Sequence, residues 1–230
     1  MDKLPFSLYD IVGYLASGVL LMATWAVVFL PNNAGDIEVS ASWSIVLILV
    51  AYVIGHSIST VGDWVLGLFT RLVLKGPEVW LLKEKTPWKW IAGTDYFRPM
   101  RDSSLERLES LIAQNAKSKA KLRSYDKFLH CYYTMIMNAS ARERLYTFLA
   151  LYGFCRNASI ALIASAIILK YGEKALGREF IWEYIDTNFL TYSALICSAL
   201  LFFRYLKFYR HYTTQVFMLY LERARVAESS

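Results

Sequence analysis

The chain has little of what most catalytic and binding sites are made from. Its 230 residues hold three cysteines, three histidines and five prolines. Cys131, Cys155 and Cys197 are odd in number and show no paired spacing, which argues against a disulfide framework and a cysteine-held zinc. His56, His130 and His211 lie far apart in sequence and form no local ligand set. Neither a Gly-rich phosphate loop nor an internal repeat is found. No cofactor and no metal site is therefore expected.

Charge is scarce over long stretches. The composition is 56% hydrophobic and 16% aromatic with a mean hydropathy of +0.33, too apolar for an ordinary soluble domain. An apolar run of about 18 or more residues reads as a membrane span. Ile11–Leu30 and Trp43–Gly62 are two such runs. Leu145–Leu169 is a third and contains Arg156; Phe189–Phe203 is a shorter fourth, ending at Arg204. The expected fold is all-α: an integral membrane protein with four transmembrane helices and a helical cytoplasmic layer. Its divisions are a first helix pair over 1–70, a basic helical region over 71–144, a second pair over 145–203, and a C-terminal amphipathic helix over 204–230.

The distribution of basic residues orients the chain. Fifteen of the 25 lie between Arg71 and Tyr146, against eight acidic residues there. Arg204, Lys207, Arg210, Arg223 and Arg225 follow the fourth run, whereas residues 31–42 carry only Asp36 and Glu38. Lys and Arg collect on the cytoplasmic side, so both termini are expected inside a bacterial inner membrane. The net charge of +6 then needs no nucleic acid, because anionic lipid attracts such residues by about 1 kcal/mol each. No small-residue cleavage site follows Ile11–Leu30, so that run is expected to stay as an uncleaved span. The "NAS" triplets at Asn138 and Asn157 fall on the wrong side for glycosylation.

Within the basic region, Pro77, Pro87 and Pro99 forbid one long helix over 76–101. Trp80, Trp88 and Trp90 beside Lys83, Lys85 and Lys89 suit a belt at headgroup level. Ser103 with Glu106 predicts a capping box opening a helix whose stripe is Leu105, Leu108, Leu111 and Ile112. A second stripe, Phe128, Leu129, Tyr132 and Ile136, is predicted to lead into the third span with a break near Asn138. After the fourth span, Tyr205, Phe208, Tyr209, Tyr212, Val216, Leu219 and Tyr220 recur at three and four, so that span should continue as an amphipathic helix.

The stretch "AYVIGHSISTVGDWV" interrupts the second span with polar groups. "GHSIS" differs from a G-x-S-x-G nucleophile elbow at Ser59, and that motif needs a strand-to-helix turn. No catalytic residue is assigned. Depth is more informative, at about 1.5 Å per residue. His56, Arg156 and Arg204 each fall roughly 20 Å from the outer end of their spans, and Asp10 and Asp63 about 30 Å in, at the inner boundary. His56, Ser59, Arg156 and Arg204 with Asp10 and Asp63 thus form a candidate polar layer, with Arg156 or Arg204 able to snorkel to an aspartate. The plainer alternative is packing: Gly55, Ser59 and Gly62 look like close-contact positions, as do Gly13 and Ser17 in the first span.

The stretches "PFSLYDIVGYLASG", "YVIGHSIS" and "LYGFCRN" together resemble bacterial four-span membrane proteins found among phage-defence genes. The layout also resembles the membrane component of the Kiwa defence system. The resemblance implies a non-enzymatic membrane sensor, anchor or effector acting with a cytosolic partner. Two other classes stay open. A pore would line its lumen with "HSIST", and a lipid-active enzyme would have only Asp10 and Asp63 as an acidic pair. The small-residue faces and the aromatic stripe Tyr205, Phe208, Tyr209, Tyr212 and Tyr220 predict a homo-oligomer.

Overall fold

A computed structural model describes residues 10–29, 40–82, 96–115, 122–176 and 186–229. Among them the structure is helical, with no strand. Helix α1 covers Ala16–Phe29 and is entered through a π-helical turn, Asp10–Leu15. Helix α2, Ala41–Gly62, leads into further π-helical turns at Asp63–Gly67 and Thr70–Leu74. The short α3 is Pro77–Leu81, α4 is Asp102–Asn115 and α5 is Ser124–Ile136. Two long helices complete the chain, α6 over Ala139–Leu176 and α7 over Thr187–Ser229.

Three helical stretches, Ala41–Leu81, Ala139–Gly172 and Thr187–Glu228, are long and apolar enough to cross a membrane; Gly13–Phe29 is apolar but shorter. Trp43, Ile48, Leu49, Val53, Leu195 and Leu200 are exposed on them. Such a surface suits lipid and would be a liability in water. The chain is therefore a membrane protein by composition and length.

The chain divides into two compact units, Met1–Gly67 with Ala150–Tyr205, and Leu68–Leu149 with Leu206–Ser230. In the first, small residues let backbones meet. A Cβ on Gly18 would overlap the Ala51 carbonyl, and one on Gly55 would overlap the Tyr14 carbonyl. Gly62 differs from the close-contact expectation: a Cβ there would stand 3.4 Å from Asn157 Oδ1, an ordinary contact. Ser159 and Ser198 clamp α6 to α7 reciprocally, each hydroxyl donating to the other's carbonyl at 3.0 and 2.9 Å.

The second unit has its own core. Leu105, Leu108, Leu111 and Ile112 of α4 are buried, as their spacing predicts. That helix starts at Asp102, so Ser103 is its second residue and not the cap expected for it. Arg123 donates its backbone N–H to Asp126 Oδ2 at 3.3 Å at the start of α5, a cap the sequence reading passed over. The break near Asn138 is present: α5 ends at Ile136, and Asn138 Oδ1 accepts from the Ser140 backbone at 3.1 Å to open α6. Pro77 stands at the first position of α3, where its missing N–H costs nothing.

Candidate functional site

Arg156 lies on α6, its side chain buried to 9% exposure. A guanidinium in such surroundings needs its donors matched, since each unpaired one costs heavily. Its Nη1 donates to Asp63 Oδ1 at 2.7 Å, Nη2 to the Ser59 hydroxyl at 3.1 Å, and Nε to Asn157 Oδ1 at 3.2 Å. Asn157, fully buried, donates through Nδ2 to the Gly13 carbonyl at 2.9 Å. One cluster thereby ties α6, the end of α2 and the turn before α1.

Two π-helical turns bracket this cluster, one containing Gly13 and the other beginning at Asp63. A π turn shifts the carbonyl ladder by one residue, and such turns are frequent at functional sites. Here they sit where a carbonyl must accept from Asn157 and a carboxylate must meet Arg156. The apolar periodicity of the two runs gave no sign of either turn.

Of the expected polar layer, the structure brings Ser59, Asp63 and Arg156 together. His56 is held differently. Its ring stacks on Tyr14 with centroids 4.0 Å apart and meets the Tyr52 ring edge-on at 4.6 Å. The imidazole nitrogens have no hydrogen-bond partner among the described residues, and the side chain is exposed. Arg204 is exposed on α7 beside Cys155 and lies outside the cluster. Asp10 is part of the first π turn, and its side chain is outside what the structure describes. Asn157 is the residue that sequence reasoning missed. Its adjacency to Arg156 in "CRNAS" was the available signal.

The interface and membrane-surface candidates are redistributed. Tyr205, Tyr212 and Tyr220 are buried within one copy, and Phe208 and Tyr209 are half-buried. In the second unit Tyr212 packs against Phe128 and Tyr132, with ring centroids 6.2 and 6.4 Å away. Tyr220 takes a hydrogen bond from Asn115 Nδ2 at 3.2 Å and pairs with His130 Nε2 at 3.3 Å. Much of this stripe is thus core: α5 covers Tyr212 and Tyr220, while Tyr205 packs on Tyr152 and Phe202 in the first unit. Trp80 is 1% exposed and packs on Phe97, so it forms no part of a surface belt. Lys83, Lys85, Trp88, Lys89 and Trp90 lie outside the described residues.

A cavity of about 390 Å³ opens in the second unit, lined by Met135, Asn138, Arg144, Leu219 and Arg223 among others. Arg223 Nη1 donates to the Thr134 carbonyl at 3.0 Å beside it. Among the described residues no group of three or more His, Cys, Asp or Glu could hold a metal ion. No family model matches the chain, and no curated protein or solved structure matches it.

Proposed function

We propose that this protein is a non-enzymatic anchor and sensor of a bacterial inner membrane, assembled from several copies and offering a helical cytoplasmic layer to a cytosolic partner. In this reading four helices cross the bilayer, and both termini lie in the cytoplasm. The observation that carries it is the contrast between the two compact units. One is apolar outside, with its polar groups bonded to one another; the other is charged outside around its own aromatic core.

Length supports the four crossings. Asp10–Phe29 extends about 30 Å at 1.5 Å per residue, the thickness of the hydrocarbon layer. By the same rise α6 and α7 are about 57 and 65 Å long, so each can cross with length to spare, and in α7 the excess beyond Phe203 falls on the cytoplasmic side. The basic tally over 71–146 supports the orientation. The antiphage setting and the cytosolic partner rest on the resemblance carried by "PFSLYDIVGYLASG", "YVIGHSIS" and "LYGFCRN".

The bonded cluster favours anchoring over conduction. Arg156, Ser59 and Asn157 direct their hydrogen bonds at each other and at Gly13, the arrangement of a packing knot. A potential-sensitive dye in expressing cells tests this. An anchor leaves the membrane potential unchanged, and its collapse on expression alone would overturn the reading in favour of a pore.

A further inference from the structure

The close-packing faces expected to join separate copies are used inside one copy. Gly18 and Gly55 bring α1 and α2 together, and Tyr212 and Tyr220 of α7 are covered by α5. Assembly therefore needs another surface, and α2 carries one. His56, Thr60 and Asp63 follow at four and then three residues along its exposed side, between Val53 and Trp64, which are 63% and 74% exposed. In a helix otherwise apolar enough to cross a membrane, that is a polar stripe running through the hydrocarbon to its inner boundary.

The three groups are in different states. Asp63 is neutralised by Arg156 at 2.7 Å. The Thr60 hydroxyl donates its hydrogen to the His56 carbonyl at 3.2 Å, which leaves its oxygen free to accept. The His56 ring lies against Tyr14 and Tyr52, and its N–H has no acceptor among the described residues. Lipid offers that N–H nothing, and an unpaired polar group there is costly. One face thus holds a donor lacking an acceptor and, one turn away, an acceptor with spare capacity.

Resting on the membrane-spanning reading above, we propose that this stripe is the contact surface for a second copy of the chain, whose facing polar groups supply the acceptor that the His56 N–H lacks. Two copies in one membrane run parallel, so the same stripe meets itself, as a two-fold contact requires. The neutral Asp63–Arg156 pair lets the stripes approach without like-charge repulsion. Val53 and Trp64 border the contact and exclude lipid from it.

Cysteine cross-linking in native membranes maps the face. Cys197, the exposed cysteine, is first changed to Ala; Cys131 and Cys155 are buried. Thr60→Cys and Val61→Cys are then compared, two exposed neighbours pointing about 100° apart on one helix. Thr60→Cys should form a disulfide-linked double-mass species on mild oxidation, several-fold faster than Val61→Cys. Equal rates, faster linkage through Val61→Cys, or none through either would overturn the proposal. In the second case the membrane-anchor reading survives with a different contact. A second measurement uses native mass in mild detergent: His56→Leu should weaken self-association about tenfold, as loss of two membrane hydrogen bonds predicts. Unchanged association would overturn it as well.

Discussion

The Arg156 guanidinium holds the Asp63 carboxylate at 2.7 Å across 93 residues of sequence, joining α6 to the turn that ends α2. Removing one member of a buried ion pair leaves the other without compensation, at about 3–5 kcal/mol. Asp63 is half exposed in one copy, so Arg156→Ala should fall near the lower end, about 3 kcal/mol. Adding Asp63→Ala to Arg156→Ala should restore part of that loss. Thermal unfolding of the single and double variants in detergent measures the coupling, and strict additivity would show that the pair is energetically silent.

Glycine placement separates two kinds of position on α2. Gly55→Ala should destabilise strongly and loosen α1 from α2, because the new methyl would meet the Tyr14 backbone, which cannot rotate away. Gly62→Ala meets only side chains at ordinary contact distance and should be neutral or stabilising by up to about 1 kcal/mol, since alanine is the better helix former. Melting temperatures of the two variants, taken side by side, give the answer.

The tyrosine stripe should behave as core in the second unit. Tyr220→Phe removes the oxygen that Asn115 and His130 share and should cost about 1–2 kcal/mol. Phe217→Ala, at a fully buried ring beside Phe128, should cost about 3–5 kcal/mol. Limited proteolysis of the two variants would register both losses as faster cleavage within α4 and α5.

Cys131 is fully buried in α5, and burial pushes its thiol up to about 12. The reactive thiolate is therefore scarce at any ordinary pH, and a folded protein should leave Cys131 unlabelled by iodoacetamide at pH 8. Labelling should begin only with unfolding. Mass spectrometry of the Cys131 peptide before and after denaturant checks this, and rapid labelling of the native protein would contradict the buried placement.

Reporter fusions examine the orientation. A compartment-sensitive reporter after Asn33 or Glu179 should report the outside, and one after Lys119 or Ser230 the inside. Any inversion within these pairs would overturn four crossings with both termini in the cytoplasm.

Local periodicity carried much of the architecture in the primary structure. Apolar runs marked the helices, the three-and-four spacing of Leu105, Leu108, Leu111 and Ile112 marked a buried face, and Asn138 marked a break. These features are legible because they depend on neighbours within a few turns of the same helix. Depth arithmetic also placed Arg156 and Asp63 within reach of each other, since a helix has a fixed rise.

What only the tertiary structure decided is which neighbour each residue met. Asp63 takes Arg156 because the π-helical turn at the end of α2 presents its carboxylate there, and such a turn leaves no mark on hydropathy. Asn157 became the bridge to Gly13 because α6 brings it against the widened turn before α1. Tyr212 and Tyr220 read as part of a surface for a partner, yet α5 of the same chain fills that role for both. An amphipathic face states only that something apolar must cover it. The cover is chosen by the packing of helices distant in sequence, where several faces compete for one groove and the best-matched shape excludes the others.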